Sequence, residues 1–515
     1  MLNDQSQNNY QIKTLVLVAL FSLISACGGS SSDTGNQASS SGQGNIEIDS
    51  TQRKAIFTTV GQQLDDFVVF DQLDEQRSLS ALAPDWFRIH AGADNDILPE
   101  PTPHDGQQKW DFSALNRLVE IAYDAHAAPI MNVRHAPVSL SSCQVFHSSI
   151  GTLNDPSFGE FADYMAALVA YYNIGSFSDA SGTYINPRGT AHRIQYWELW
   201  NEPELPYEFP CLRLNSSRAS LSESEFATMW AITTQRMHKV DPSIKFVGPT
   251  VSDPRNLTYL DAVYHLPLPP DVISFHGYAG PNTAQDKELQ KGGGDAIGIN
   301  GISLAIEHLL VALDARGFSS IPILLDEYNV SPDGDDDPFK RGWNNFGVAL
   351  GGSLFIKNTK LSTVHPIGFI PFQFVEVGAQ RLSAINPQTG APMLPYWRDL
   401  LLRQAVQKGD SMLKTVVTSS HVDVLATVRA SQSSIQVLIA NSDVTAAGVG
   451  TQGENTSITL NIAKLLGKPP KSIVLRVIDA TTNPISGPNQ LTLDPTVNPQ
   501  INFKGYGLAL VELKY

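Results

Sequence analysis

Between residues 52 and 408 the chain repeats one pattern eight times: a short apolar run followed by a stretch with helical spacing. Short apolar runs bounded by turn residues read as strands, and apolar residues three and four apart read as a helix face. Strands that alternate with helices pair in parallel, because a parallel neighbour needs a long crossover and the helix supplies it. The candidate strands are 55–61, 86–92, 128–135, 194–202, 244–250, 271–277, 321–330 and 367–375. Helical spacing is clearest in "DFSALNRLVEIAYDAHA", with Asp111 as its N-cap, and in "FGEFADYMAALVAYY", "SESEFATMWAITTQRMHKV", "GISLAIEHLLVALDARG" and "YWRDLLLRQAVQ". Eight such units predict an α/β fold, a (β/α)8 TIM barrel, whose usual size is about 200 to over 400 residues.

The flanks differ in kind. After residue 408 the runs become short and β-rich, as in "HVDVLATVRA", "SIQVLIANS" and "SIVLRVIDA", separated by Asn, Gly, Pro and Ser turns. That spacing predicts a C-terminal all-β sandwich over 409–515. At the other end, Lys13 precedes the apolar run 15–26. It is shorter than the ~20 residues a spanning helix needs and reads as the core of a secretory signal. The "ISAC" that closes it resembles a bacterial lipoprotein box, which implies a signal over 1–27, a lipidated Cys27 and, with Gly28 following, sorting to the outer membrane. Residues 28–50 are Ser/Gly-rich and read as an unfolded tether. The barrel is then assigned to 51–408. Cys143 and Cys211 are the remaining cysteines, and an oxidising compartment favours a bridge over two free thiols. A net charge of −16 argues against nucleic acid, whose backbone is met by concentrated Lys and Arg.

Barrel chemistry sits where the strands end, at their C-terminal side. Alternation groups Arg88 with His90, Asn132 with Arg134, His276 with Tyr278, and Glu327 with Asn329 on inward faces. On strand four, "IQYWELWNEPEL" ends with Asn201 and Glu202, and Glu198 shares the parity of Glu202 one layer deeper. Alternation turns Asp326 to the opposite face from Glu327. Glu202 and Glu327, on strands four and seven, are the two carboxylates that glycosidic hydrolysis requires, one to protonate the leaving oxygen and one to attack.

The strand-four "WNEPE", the strand-seven "LLDEYN", "INPQTGAPMLPYWRDLL" and the terminal β-domain resemble clan A glycoside hydrolases, most closely family 39. The family contains β-xylosidases and α-L-iduronidases. The resemblance implies Glu202 as acid/base, Glu327 as nucleophile of a retaining double displacement, and Asn201 as the holder of a sugar 2-hydroxyl. It further implies that His276 and Tyr278 contact substrate or nucleophile, and that no cofactor is needed. Gln373 in "FQFVE" stands on strand eight where the family more usually shows a Trp, and "DEYN" also departs from its usual strand-seven sequence.

Other features have two readings. Arg88, His90 and Arg134 suit either an acidic or sulfated sugar or the plainer task of holding the glutamates, and the plainer task is favoured. Trp343, Phe372, Phe374 and Trp397 suit either sugar stacking or core. The "DGDDD" at 333–337 reads as a solvated acidic loop rather than a calcium site. The leading expectation is an exported, membrane-tethered retaining glycosidase acting on a poly- or oligosaccharide. The alternatives are a glycan-binding lipoprotein without turnover and an adhesin acting through its sandwich. The sugar, exo or endo attack and the oligomeric state stay open.

Overall fold

The computed structural model describes residues 42–64, 80–91, 110–134, 140, 155–205, 221–332, 337–369, 384–386, 391–442, 444, 448–462 and 465–515. Cys27, Cys143, Cys211, Gln373, Phe372, Phe374 and the acidic run up to 336 lie outside them.

Eight parallel strands close a barrel: β2 (Thr58–Leu64), β3 (Trp86–Ala91), β4 (Ala128–Val133), β7 (Tyr196–Glu198), β8 (Lys245–Val251), β9 (Val272–Tyr278), β10 (Ile323–Asn329) and β11 (Ile367–Phe369). A hairpin of β5 (Ser176–Asp179) and β6 (Gly182–Ile185) stands apart. The crossover helices include α1 (Ser113–Asp124), α2 (Gly159–Val169), α3 (Glu223–Val240), α4 (Thr258–Tyr264), α5 (Asp286–Lys291), α6 (Gly298–Ala315), α7 (Asn345–Leu361) and α8 (Leu394–Ala405). Local signals account for several ends. Ser222 caps α3 in a full capping box with Glu225, and Pro395 sits in the first turn of α8, where a missing N–H costs nothing.

The second unit is a sandwich whose nine strands form one curled sheet: β1 (Gly42–Ala55), β12 (Ser411–Val417), β13 (Val422–Val428), β14 (Ser434–Asn441), β15 (Thr456–Leu460), β16 (Ser472–Ile478), β17 (Gln490–Leu493), β18 (Gln500–Phe503) and β19 (Gly507–Lys514). Its strands surround a core that includes Ile46, Val424, Ile439, Ile458, Ile473 and Val511. This corrects the boundary of the tether. Residues 42–50 are part of β1, which pairs antiparallel with β12 and parallel with β15. Their polar composition misleads because a strand between two neighbours is held chiefly by backbone hydrogen bonds, and here Ile46 supplies the fully buried side chain. The sandwich therefore draws one strand from ahead of the barrel.

Helix α7 lies between the two units, which explains why its buried residues run right round it instead of forming one stripe. Gly352 permits the approach, since a Cβ there would come within 2.5 Å of Leu508. A polar joint links the mouth loops to the sandwich. Arg341, fully buried, donates to Asp337 at 2.7 Å and to the Ala284 carbonyl at 2.7 Å, while Asp286 accepts from the Gly450 and Thr451 N–H groups at 2.9 and 2.7 Å. Asp337 is thus an internal ion-pair partner and not the solvated residue its acidic neighbours suggested. Trp397 makes a separate contact with the sandwich: its indole donates to the Pro484 carbonyl at 2.7 Å.

Candidate active site

Strand sequence sets the vertical order inside the barrel. Ile130, Val247 and Leu324 pack with Trp86, Tyr196 and Val272 at the N-terminal end. Two residues further along the same strands stand Asn132, Glu198, Ser274, Asp326 and Arg88, all without measurable exposure. Arg88 is the hub. Its Nε donates to Glu198 at 2.7 Å, one terminal nitrogen to Glu327 at 2.6 Å, and the other to the Asn201 carbonyl oxygen at 3.0 Å. The fork therefore joins strands two, four and seven, and the planar guanidinium fixes their relative positions.

Glu202 reaches this hub by strain rather than by strand alternation. Strand β7 stops at Glu198, and Glu202 lies beyond it with φ +44°, in the left-handed region that side chains seldom occupy. Its N–H donates to the Thr250 carbonyl at 2.9 Å, and Thr250 is itself the extra residue of a bulge in β8 with φ +60°. Pro203 accordingly follows a turn and does not end the strand. The side chain meets His276 Nδ1 at 2.7 Å.

Glu327 sits opposite. The register of β10 on β9 jumps from Leu325–Phe275 to Glu327–His276, so Asp326 is the extra residue of a second bulge. That overturns the expectation that Asp326 faces away. A bulge breaks the period of two, and both acidic side chains enter the barrel, with Asp326 at 3.7 Å from Arg88 and 3.7 Å from His276. Glu327 also accepts from the Tyr278 hydroxyl at 2.8 Å and lies 3.3 Å from His276 Nδ1. Glu202, His276 and Glu327 each present an atom within 4.8 Å of the others. That spacing would suffice to face a cation, but protons on Arg88, Tyr278 and the Glu202–His276 contact already engage these lone pairs.

The electrostatics set the charge around Glu327. Burial alone would raise Glu327, yet His276 and Arg88 outweigh it and hold the carboxyl well below the usual range, so it stays ionised. Burial works on His276 in the opposite sense and is overcome by Glu327 and Glu202, which raise it. His90, 3.6 Å from Glu327, is pushed down to about 3 by burial and then by Arg88, and is neutral.

The expected residues fall into three groups. Arg88, Asn201, Glu202, His276, Tyr278 and Glu327 form one bonded cluster, with His90 against it. Asn132 shares the layer of Arg88 but donates to the Trp200 carbonyl at 3.0 Å, and Asn329 accepts from the N–H of Val330 at 2.7 Å. Arg134, half-buried, follows the end of β4. Gln63 was not singled out by the sequence, and Asp326 was expected to face away. Gln63 accepts from Arg88 at 3.4 Å, and a strand-one glutamine carries no local signal for that role.

No family model and no curated protein matches the chain. Solved structures do resemble it. A monomeric beta-xylosidase from Caulobacter crescentus CB15 superposes with a TM-score of 0.63 at 14% identity, over 91% of this chain and 99% of that one. A GH39 enzyme from Xanthomonas axonopodis pv. citri gives 0.62 at 15%, over 91% and 97%. An alpha-L-arabinofuranosidase from Thermotoga maritima gives 0.60 at 13%, over 92% and 100%. At these identities the likeness is one of fold: the chain has the barrel-and-sandwich architecture of these glycosidases along nearly its whole described length.

Proposed function

We propose that the protein is a retaining glycoside hydrolase that cleaves O-glycosidic bonds of a poly- or oligosaccharide, with Glu202 as acid/base and Glu327 as nucleophile. One observation carries the reading: carboxylate oxygens of the two residues come within 4.8 Å of each other, with Glu327 held ionised and Glu202 hydrogen-bonded to a histidine. Retaining enzymes hold their carboxyls about 5–5.5 Å apart, whereas inverting ones leave about 6.5–9.5 Å for a water. The glycosidases among the fold's neighbours lend support.

In the first step the Glu327 carboxylate attacks the anomeric carbon, the glycosidic C–O bond breaks, and the proton held between Glu202 and His276 passes to the leaving oxygen. In the second, water attacks the same carbon, Glu202 takes its proton, and the ester to Glu327 breaks. Arg88, Tyr278 and His276 stabilise Glu327 as a leaving carboxylate. The Asn201 carbonyl oxygen is bound to Arg88, which leaves its amide N–H groups to meet a sugar hydroxyl. Because Arg88 is spent on protein groups, it is not the cation that an acidic or sulfated sugar would meet. Export and lipid anchoring through Cys27 complete the reading and rest on the N-terminal sequence.

The test is product analysis on aryl glycosides and on plant, algal and bacterial polysaccharides, with the anomer of the first product followed by NMR. Release of a sugar with the substrate's own anomeric configuration is expected. Inverted product would overturn the double displacement, and glycan binding with no product from any bound glycan would favour the non-catalytic reading.

A further inference from the structure

The cluster holds one acidic group that the reaction does not use. Four carboxyls, from Glu198, Glu202, Asp326 and Glu327, meet in a space where none is more than 4% exposed. The cations acting on Glu198, Asp326 and Glu327 are Arg88 and, when protonated, His276, while His90 is neutral. Were all three of these carboxyls ionised, one negative charge would remain unpaired even with His276 charged. Unpaired buried charge is costly, and such a group takes up a proton instead. That proton has a specific place to go. Both Asp326 oxygens and Glu198 Oε1 are buried with no hydrogen-bond partner among the described residues, and both carboxyls flank the same Arg88 Nε, Glu198 at 2.7 Å and Asp326 at 3.7 Å. Two carboxylates cannot donate to one another, but an acid and a carboxylate can.

We infer that Asp326 is a protonated positioning residue: its O–H donates to Glu198, and the resulting pair holds Arg88 and His276 against Glu327 without adding a charge beside the nucleophile. Burial and then Glu198 raise Asp326 well above the usual carboxylate range, with Arg88 opposing, while Arg88 and the hydrogen bond from Asp326 lower Glu198 against its burial. Asp326 keeps the inward parity of Leu324, and the bulge in β10 is what brings Glu327 into the interior beside it. The role in positioning rests on the hydrolase reading; the proton does not.

Asp326→Asn tests both, since the amide keeps the shape and the donor but cannot ionise. A folded-state value raised above the ordinary ~3.9 means that stability from Asp326 is fully present below about pH 4 and is lost as pH rises through the folded value. The melting temperature of the variant minus that of the wild type should therefore increase from about pH 4 to pH 8. The wild-type minus variant infrared spectrum at neutral pH should contain the carbonyl stretch of a protonated carboxylic acid. Glu198→Gln should also abolish that band, because Asp326 then ionises toward Arg88. On any substrate found, the Asp326→Asn variant should keep kcat/KM within about fivefold and rescue the loss seen in Asp326→Leu. A melting difference that falls with pH, absence of the band, or an Asp326→Asn chain that does not fold would overturn the inference. If no glycan is cleaved, the activity arm alone is lost, and melting and infrared still decide the proton.

Discussion

The two ends of the barrel interior are made by the same strands and share little chemistry. At the N-terminal end Trp86, Ile130, Tyr196, Val272 and Leu324 fill space. Two positions later those strands present Arg88, Asn132, Glu198, Ser274 and Asp326. The alternation that returns each strand to the inside every second residue separates fold from chemistry along one axis. The lower layer gains by removing apolar surface from water. The upper layer is costly to bury and is tolerable only because its charges are paired and its donors used. Substitutions at the two levels should therefore fail differently.

The largest effect is expected at the top, where Glu202→Gln and Glu327→Gln keep shape and remove charge or proton. Each should lower kcat by about 10³-fold or more on a substrate with a poor leaving group, since positioned acid–base groups alone are worth about 10²–10⁴. Melting temperature should change little in Glu202→Gln and fall in Glu327→Gln, which takes one carboxylate from buried Arg88, though by less than loss of Arg88 itself because Glu198 still holds that guanidinium. Azide or formate should restore turnover of an activated glycoside to a variant lacking the Glu327 carboxylate, and turnover surviving at wild-type level would remove Glu327 from its role.

The sharpest contrast comes next, from Arg88→Met against Leu324→Ala. Removing Arg88 leaves Glu198 and Glu327 buried without their partner, a loss of about 3–5 kcal/mol. Removing the Leu324 side chain leaves a cavity, at about 2–5 kcal/mol. Denaturant titration should thus find both destabilised to a similar degree. Kinetics on the folded fraction should part them, with Arg88→Met down by about 100-fold or more and Leu324→Ala changed by less than about fivefold, the equivalent of about 1 kcal/mol. Equal losses of kcat in the two variants would dissolve the distinction between the layers.

A smaller effect tests one bond within the upper layer. Tyr278→Phe deletes the hydroxyl that donates to Glu327. Hydrogen bonds to charged groups are worth about 1.5–3 kcal/mol, so kcat/KM should fall by about 10- to 100-fold with the fold intact. A variant as active as wild type would mean that Arg88 and His276 suffice to hold the nucleophile.

Much of this was legible in the chain. The eight strand positions, the β-rich tail and the pairing of Glu202 with Glu327 follow from apolar periodicity and from where a barrel must place its polar strand ends, because burial on one face imposes a period that composition preserves. Reasoning by period failed where the backbone leaves its regular geometry. The left-handed turn at Glu202, the bulge at Thr250 and the bulge at Asp326 are products of contacts between strands distant in sequence, and no local pattern records them. Nor could residues 42–50 announce themselves as a strand, since the partners that hold them lie at residues 411–417 and 456–460. The sequence by itself determined which residues could form a barrel and which carboxylates could do the chemistry. Only the tertiary structure decided that Arg88 is enclosed by the groups it holds, and that Asp326 joins them, because charge pairing in a buried site depends on distances that exist only once the strands have closed.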